Sequence, residues 1–410
     1  MIKELTVEKK GLPVGWEMKT LGEVCSFQNG FAFKSKTYKD DGIPVVRITN
    51  IQDESIDLSK IVYIDPKDYN KDLSKYKIIK GDLLIAMSGA TTGKIGIHNT
   101  DEELLLNQRV GKFEPFDNLN KSYLLNFLKT KVEESLAISA GAAQPNLSTA
   151  QIKSFQIPLP PLPQQKQIVA TLDNAFAAID TAKANAIQNL QNAKELFESY
   201  LQNVFEKIKA NGQLYSLANY LDLITYGFTN PMPTTDEGPY KVTAKDVKYG
   251  IVNYKTARRT SQDAFDNLIR DKCKPKKGDV LLTKDGTLGR LAVVEKANMC
   301  INQSVALLRP TKELDSYYLK ELLSSKFYQE LMIEQAGGAT IKHIYITRVD
   351  KMLVPVPSIT EQLAIIKKLD ALSSETKKLE TIYTKKIADL EEMKKSVLQK
   401  AFSGQLNTIN

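Results

Sequence analysis

The segment Ser88-Gly89-Ala90-Thr91-Thr92-Gly93-Lys94 comes nearest to a nucleotide-binding loop. Such a loop needs four residues between its glycines and a Ser or Thr after the lysine, whose hydroxyl holds magnesium. Here three residues separate the glycines and Ile95 follows the lysine. Asp285-Gly286-Thr287-Leu288-Gly289-Arg290 repeats the pattern without a lysine, so both segments read as glycine-hinged turns between strands. A methyltransferase would carry a glycine-rich cofactor loop and an N/D-P-P-Y/F motif; Asn230-Pro231-Met232-Pro233 departs at both later positions. A restriction-type nuclease wants an Asp followed by E-x-K on a strand. Glu392-Met393-Lys394 has that spacing but falls on a charged helical face. His98 and His343 stand in unlike contexts and suggest neither a metal cluster nor an acid–base pair. Cys25, Cys273 and Cys300 are widely spaced and outside any C-x-x-C, which suits buried thiols of a reducing compartment. No catalytic residues and no metal ligands are expected.

The elements that would position these groups occur twice. Lys80-Gly81-Asp82-Leu83-Leu84 returns 197 residues on as Lys277-Gly278-Asp279-Val280-Leu281. Pro158-Leu159-Pro160 returns as Pro355-Val356-Pro357, Gln164-Gln165 as Glu361-Gln362, and Phe205 as Phe402. Asn107-Gln108 returns as Asn302-Gln303. So long a period means two copies of one large unit, not a solenoid of short repeats. Short apolar runs with turn signals between them predict strands at 44–48, 61–64, 83–86 and 95–97, and around Val242, Val252, Leu281 and Val293. Helical spacing follows at 121–139 and 316–335.

Each globule then passes through a proline-punctuated strand into a long helix. Between Gln164 and Lys209 there is no Pro or Gly. Leu172, Phe176, Ile179, Ile187, Leu190, Ala193, Phe197 and Leu201 fall at helical steps of three, four or eight residues, and Leu363, Ile366, Leu369, Leu372, Leu379, Ile382, Leu390 and Val397 at steps of three, seven or eight in the second copy. Helices of about 45 residues would be roughly 68 Å long. The expected fold class is α+β: two mixed α/β globules in tandem pseudo-repeat, separated by two long antiparallel coiled-coil helices. The boundaries are 1–157 and 212–355 for the globules, 158–211 and 356–410 for the helices.

Composition is that of an ordinary globular protein, with 42% hydrophobic and 25% charged residues. No window reaches the ~18 apolar residues of a membrane span, and Met1 to Lys10 is too charged for a signal peptide, so a cytoplasmic protein without membrane contact is expected. The net charge of +8 is concentrated in residues 210–357, with 21 basic and 16 acidic side chains, which favours a phosphate-rich partner there.

Taken in order, these segments resemble the specificity subunits of type I restriction–modification systems. Leu12-Pro13-Val14-Gly15-Trp16 with Leu21-Gly22-Glu23 looks like that family's opening, and the duplicated Lys-Gly-Asp looks like a recurrent strand of its target recognition domains. Ile157-Pro158-Leu159-Pro160-Pro161-Leu162-Pro163-Gln164-Gln165 looks like the entry to its central conserved helix. Ala401-Phe402-Ser403-Gly404-Gln405-Leu406 looks like its closing signature. Two departures stand out: Gln164 replaces the usual Glu, and the second globule lacks the Leu-Pro-x-Gly-Trp opening. The resemblance implies a non-catalytic reader of double-stranded DNA, each globule taking half of a bipartite site. The helices would set the spacer and dock two methyltransferase subunits. Those subunits would carry S-adenosylmethionine, and restriction/motor subunits would carry ATP and magnesium; this chain itself would bind no cofactor.

Under that reading, base edges and phosphates are met by polar and basic residues on loops that differ between the copies. In the first globule these are Lys34, Lys36, Arg47, Asn50, and Gln144 and Asn146 flanking Pro145, just before a helix whose N-terminus favours a phosphate. In the second they are Lys245, Lys255, Arg258, Arg259, Lys284, Arg290, Thr340, Lys342, His343 and Tyr345. The Asn-Gln pairs occur in both copies and read as framework. Two other classes remain open at this point: a DNA-modifying enzyme with fused recognition domains, and a coiled-coil scaffold with two protein-binding heads.

Overall fold

The computed structural model describes residues 12–52, 54–140, 146–337 and 342–406. The chain divides into two compact units, Met1–Asn185 with Lys386–Asn410, and Ala186–Lys385. Each long helix therefore contributes one part to each unit.

In the first unit a four-stranded antiparallel sheet runs in the order Cys25–Asn29, Val110–Pro115, Leu83–Ala86, Ile95–Ile97. A second sheet orders Val62–Ile64, Ile43–Val46, Leu104–Leu106, Lys77–Ile78, and its middle pair is parallel. A ribbon of Glu17–Thr20 with Gln156–Leu159 closes the unit. The second unit repeats this plan. Its four-stranded sheet is Leu221–Tyr226, Val305–Pro310, Val280–Thr283, Leu291–Val293, and its parallel pair is Thr235–Val242 with Met299–Ile301. Its ribbon is Leu214–Ser216 with Leu353–Pro355.

The duplicated residues hold duplicated contacts. Gln165 is fully buried; its Oε1 accepts the Asn120 N–H at 2.8 Å and its Nε2 donates to the Asn118 and Pro160 carbonyls. Gln362 does the same with the Asp315 N–H and the Glu313 and Pro357 carbonyls. Each amide thus ties the start of a long helix to its globule. Tyr123 and Tyr318, both buried, donate to the Pro158 and Pro355 carbonyls and receive Phe402 and Phe205 at ring distances of 5.0 and 5.5 Å. The aspartate of each Lys-Gly-Asp is buried in its turn, facing Lys112 in one copy and bonded by Arg309 at 2.7 Å in the other. The Asn-Gln pairs are also framework: Asn107 and Asn302 bridge to Phe31 and Phe228.

The long helices span Leu162–Asn211 and Ile359–Phe402. Within the first unit Lys394 pairs with Asp180 at 2.9 Å and Lys183 with Glu391, so the two helices run antiparallel there. Within the second, Phe197, Leu201, Phe205 and Ile208 share one apolar cluster with Ile366 and Leu369. Leu172, Phe176, Ile179, Leu201 and Leu369 are buried, and Leu190, Phe197, Leu390 and Val397 are half-buried. Leu379 does not lie on the seam: it is exposed, as are Ile187, Leu363 and Ile382. The inward row is Leu369, Thr376, Tyr383, Leu390, Val397, at heptad spacing, and its companion row lies four residues after each member, whereas Leu379 lies three after Thr376. The helical stretches at 121–139 and 316–335 are each two helices, broken at Lys131 and Ser325.

Candidate nucleic-acid interface

In the second unit the glycine-hinged turn leaves strand Val280–Thr283 and returns at Leu291. Gly286 and Gly289 take φ of +77° and +79°, conformations that cost other residues energy, so the turn needs glycine there. The same holds for Gly89 and Gly93 in the first unit, at +76° and +83°. A second loop lies against each turn. Asp285 bridges to His343, and Ser88 bridges to Asn146. The Ile344 N–H donates to the Lys284 carbonyl at 2.9 Å, and the Leu147 N–H donates to the Met87 carbonyl at 2.7 Å. Two loops far apart in sequence are thus joined at one backbone junction in each globule.

The side chains at the junction differ. In the second unit His343 Nδ1 lies 2.6 Å from Asp285 Oδ1, and Lys284 Nζ donates to both Asp285 oxygens at 2.8 Å. Lys284 also reaches the Gln303 carbonyl and lies 5.5 Å from the Tyr226 ring. His343 remains 41% exposed on its side chain. In the first unit Met87 and Ser88 take the places of Lys284 and Asp285. The Ser88 hydroxyl is buried without a partner among the described residues, and Asn146 is exposed.

The other candidates fall into three groups. Lys34, Lys36, Lys245, Lys255, Arg258 and Lys342 are exposed. Arg290 is half-buried and its guanidinium has no partner among the described residues. Tyr345 is exposed beside Gly337, with the Arg348 guanidinium 5.0 Å from its ring. Gln144 and Thr340 lie outside the described residues.

Three candidates are engaged internally. Asn50 is buried: its Oδ1 accepts the Arg47 N–H at 3.0 Å and its Nδ2 donates to the Asp57 carbonyl at 2.9 Å. Asp246, its counterpart, accepts from the Thr243 N–H and from the Thr243 and Thr256 hydroxyls. Asn50 is therefore corrected from reader to turn framework, because both ends of its amide are used. Arg47 donates to the Lys60 carbonyl and lies over the Tyr38 ring. Burial raises the Tyr38 phenol above its ordinary range, and the Arg47 charge opposes that shift. Arg259 donates to the Gly238 carbonyl at 2.7 Å and the Tyr240 hydroxyl at 2.9 Å, its guanidinium 4.2 Å from that ring. Arg258, its neighbour, is cross-strand to Lys241. Burial, and then the Arg258 charge, hold the Lys241 ammonium below the usual lysine range.

One exposed group escaped the sequence reading. Tyr249, at φ +55° and 96% exposed, caps the hairpin of Val247–Lys248 with Ile251–Val252. The Tyr-Gly pair between two apolar runs was the available signal. His98, by contrast, is buried and bonds the Glu102 carbonyl at 2.6 Å, and Lys394 is spent on its helix ion pair.

Comparison with known proteins agrees with this duplicated plan. The family described as type I restriction modification DNA specificity domain matches residues 13–192 and again 200–389. The EcoBI specificity subunit of Escherichia coli is 26% identical over 422 residues, covering 95% of this chain and 86% of the relative. The putative MjaX specificity subunit of Methanocaldococcus jannaschii is 26% identical over 425 residues, covering 96% and 94%. The fold resembles the HsdS subunit from Thermoanaerobacter tengcongensis, with a TM-score of 0.67 and 20% identity over 96% of this chain and 98% of that one. A structure described under complex assembly of the type I R-M system gives 0.73, at 20% identity over 97% and 100%. No helix among the described residues is long and apolar enough to cross a membrane. Two tandem copies of the specificity domain, each with its own junction of turn and loop, make this chain a member of the type I restriction–modification specificity subunit family.

Proposed function

We propose that this chain is the non-catalytic DNA reader of a type I restriction–modification complex, and that it reads a bipartite, asymmetric site in double-stranded DNA. The observation that carries this is the contrast between framework and loop. Gln165 and Gln362, or Tyr123 and Tyr318, make the same bonds in both globules, whereas the exposed junctions present Asn146 in one and Asp285 with His343 in the other. Equal scaffolds with unlike reading surfaces suit two different half-sites. The paired helices suit a spacer of fixed length between them, as protein geometry fixes half-site separation. They also suit docking of two methyltransferase subunits, which would supply S-adenosylmethionine. Restriction/motor subunits would supply ATP and magnesium, and the complex would work in the cytoplasm.

The test is methylome sequencing of cells expressing this chain with and without its methyltransferase subunit. A split motif around a fixed gap, present only with both proteins, is the expected result. Methylation by this chain alone would overturn the non-catalytic role, and a single uninterrupted motif would overturn the bipartite reading.

A further inference from the structure

We infer that positions 146 and 343 are matched base-reading positions, one for each half-site, and that Asp285 is the positioning residue for the second. This rests on the DNA-reader proposal above and deepens it. Both positions occupy one backbone site: each forms the antiparallel bridge to the second residue after the inner strand of its sheet, and the following N–H is anchored to the carbonyl just before that residue. The scaffold thus delivers position 146 and position 343 in the same backbone geometry while the side chain differs.

The side chains have the chemistry that reading requires. Asn146 is exposed, and its amide has no partner among the described residues. An amide offers a donor and an acceptor side by side, the pattern that matches the N6 and N7 edge of adenine. His343 is half-exposed, and its Nδ1 is held by Asp285. A carboxylate can only accept, so the Nδ1–H is fixed toward Asp285 and Nε2 is left for another partner. Nε2 has no partner among the described residues. Asp285 is itself fixed by Lys284, so the ring is held by a chain of two charge-assisted contacts. A side chain oriented this way loses little freedom on meeting a base edge. The backbone is fixed at the same residue: the His343 N–H donates to the Gly337 carbonyl at 2.7 Å, and the Gly337 N–H donates to the His343 carbonyl at 3.1 Å.

The experiment is methylome sequencing with the full chain and its methyltransferase subunit, comparing wild type with N146A, H343A, H343Q and D285N. N146A should relax one base position in one half of the motif, and H343A one position in the other half. Discrimination at that position should fall roughly 10- to 100-fold, with the other half and the gap unchanged. H343Q should keep a selective position with a changed base preference. D285N keeps the imidazole and should relax the same position as H343A, more weakly.

Variants that keep the wild-type motif at wild-type yield would overturn the inference. So would variants that lower methylation evenly over both halves while melting as the wild type does. A wild type that gives no split motif would instead remove the DNA-reader proposal on which this rests, so the two failures are told apart by the wild-type lane.

Discussion

Arg258 and Arg259 are sequence neighbours with opposite expected roles, and the pair makes a sharp test of the interface. Arg258 is exposed on the short strand Arg258–Arg259, whereas the Arg259 guanidinium is bonded to the Gly238 carbonyl and the Tyr240 hydroxyl and stacked at 4.2 Å on the Tyr240 ring. Arg258→Ala should remove one phosphate contact and lower the salt slope of DNA binding by about 0.9. Its affinity deficit should therefore shrink about 3.5-fold when salt is raised from about 50 to about 200 mM. Arg259→Ala should leave the slope unchanged. Its cost falls on the fold: two hydrogen bonds from a charged donor and one ring contact, partly exposed, amount to about 2–4 kcal/mol. Fluorescence anisotropy with a duplex over a salt series gives the slopes, and urea unfolding gives the stabilities. The reasoning is refuted if Arg259→Ala lowers the slope and leaves the unfolding midpoint alone, or if Arg258→Ala does the reverse.

Gln165→Ala and Gln362→Ala should each destabilise their own unit by about 3–5 kcal/mol, since each strands one N–H and two carbonyls; unequal losses in hydrogen exchange of the two units would contradict the matched geometry. Phe402→Ala should cost about 3–5 kcal/mol in the first unit by emptying the contacts with Tyr123 and Phe127, and a melting profile like wild type would count against it. Stability should fall at alkaline pH. Burial pushes the Cys25 and Cys300 thiols and the Tyr328 phenol up to about 12, and raises Tyr123 and Tyr318 as well. The unfolded chain releases these protons first, from the ordinary thiol and phenol values of 9.0 and 10.0 upward, so the contribution is complete below about pH 9 and is lost as pH rises toward 12. Melting temperatures that stay flat from about pH 8.5 to 11 would rule this out.

The fold was legible wherever a residue's role depends on its own neighbourhood. Lys-Gly-Asp, the Gln pair and the glycine-hinged turn each recur because a tight turn or helix start makes the same local demand twice. The long helices were legible from length without Pro or Gly. Roles set by tertiary geometry were not. Asn50 looks like a loop reader in one dimension, yet its amide replaces the bonds that Asp246 makes in the other copy, and the two share no residue type. The Asp285–His343 contact joins residues 58 apart, across strands and helices that carry no periodic signal of it. Leu379 was misplaced because three- and four-residue steps are both compatible with a helix face, and only packing decides between them.

The two copies differ in what meets the residue before the buried glutamine. Trp16 Nε1 donates to Gln164 Oε1 at 3.1 Å, so the opening Leu-Pro-x-Gly-Trp meets the first residue of the Gln pair. In the second copy there is no such tryptophan, and Glu361 instead accepts from the Ser358 N–H at 3.0 Å and its hydroxyl at 2.7 Å, closing a capping box. Pro161 holds the place of Ser358 in the first copy and offers neither donor. A carboxylate at 164 would find no cap to complete, and a neutral amide accepts the indole while its own N–H₂ can reach water. The side chain beside the buried glutamine therefore follows whichever partner its globule provides, while Gln165 and Gln362 keep identical bonds. The copies thus differ at 164 and 361, at the helix entrance, and at 146 and 343, at the open end of the junction, while the bonds that hold each site in place are kept.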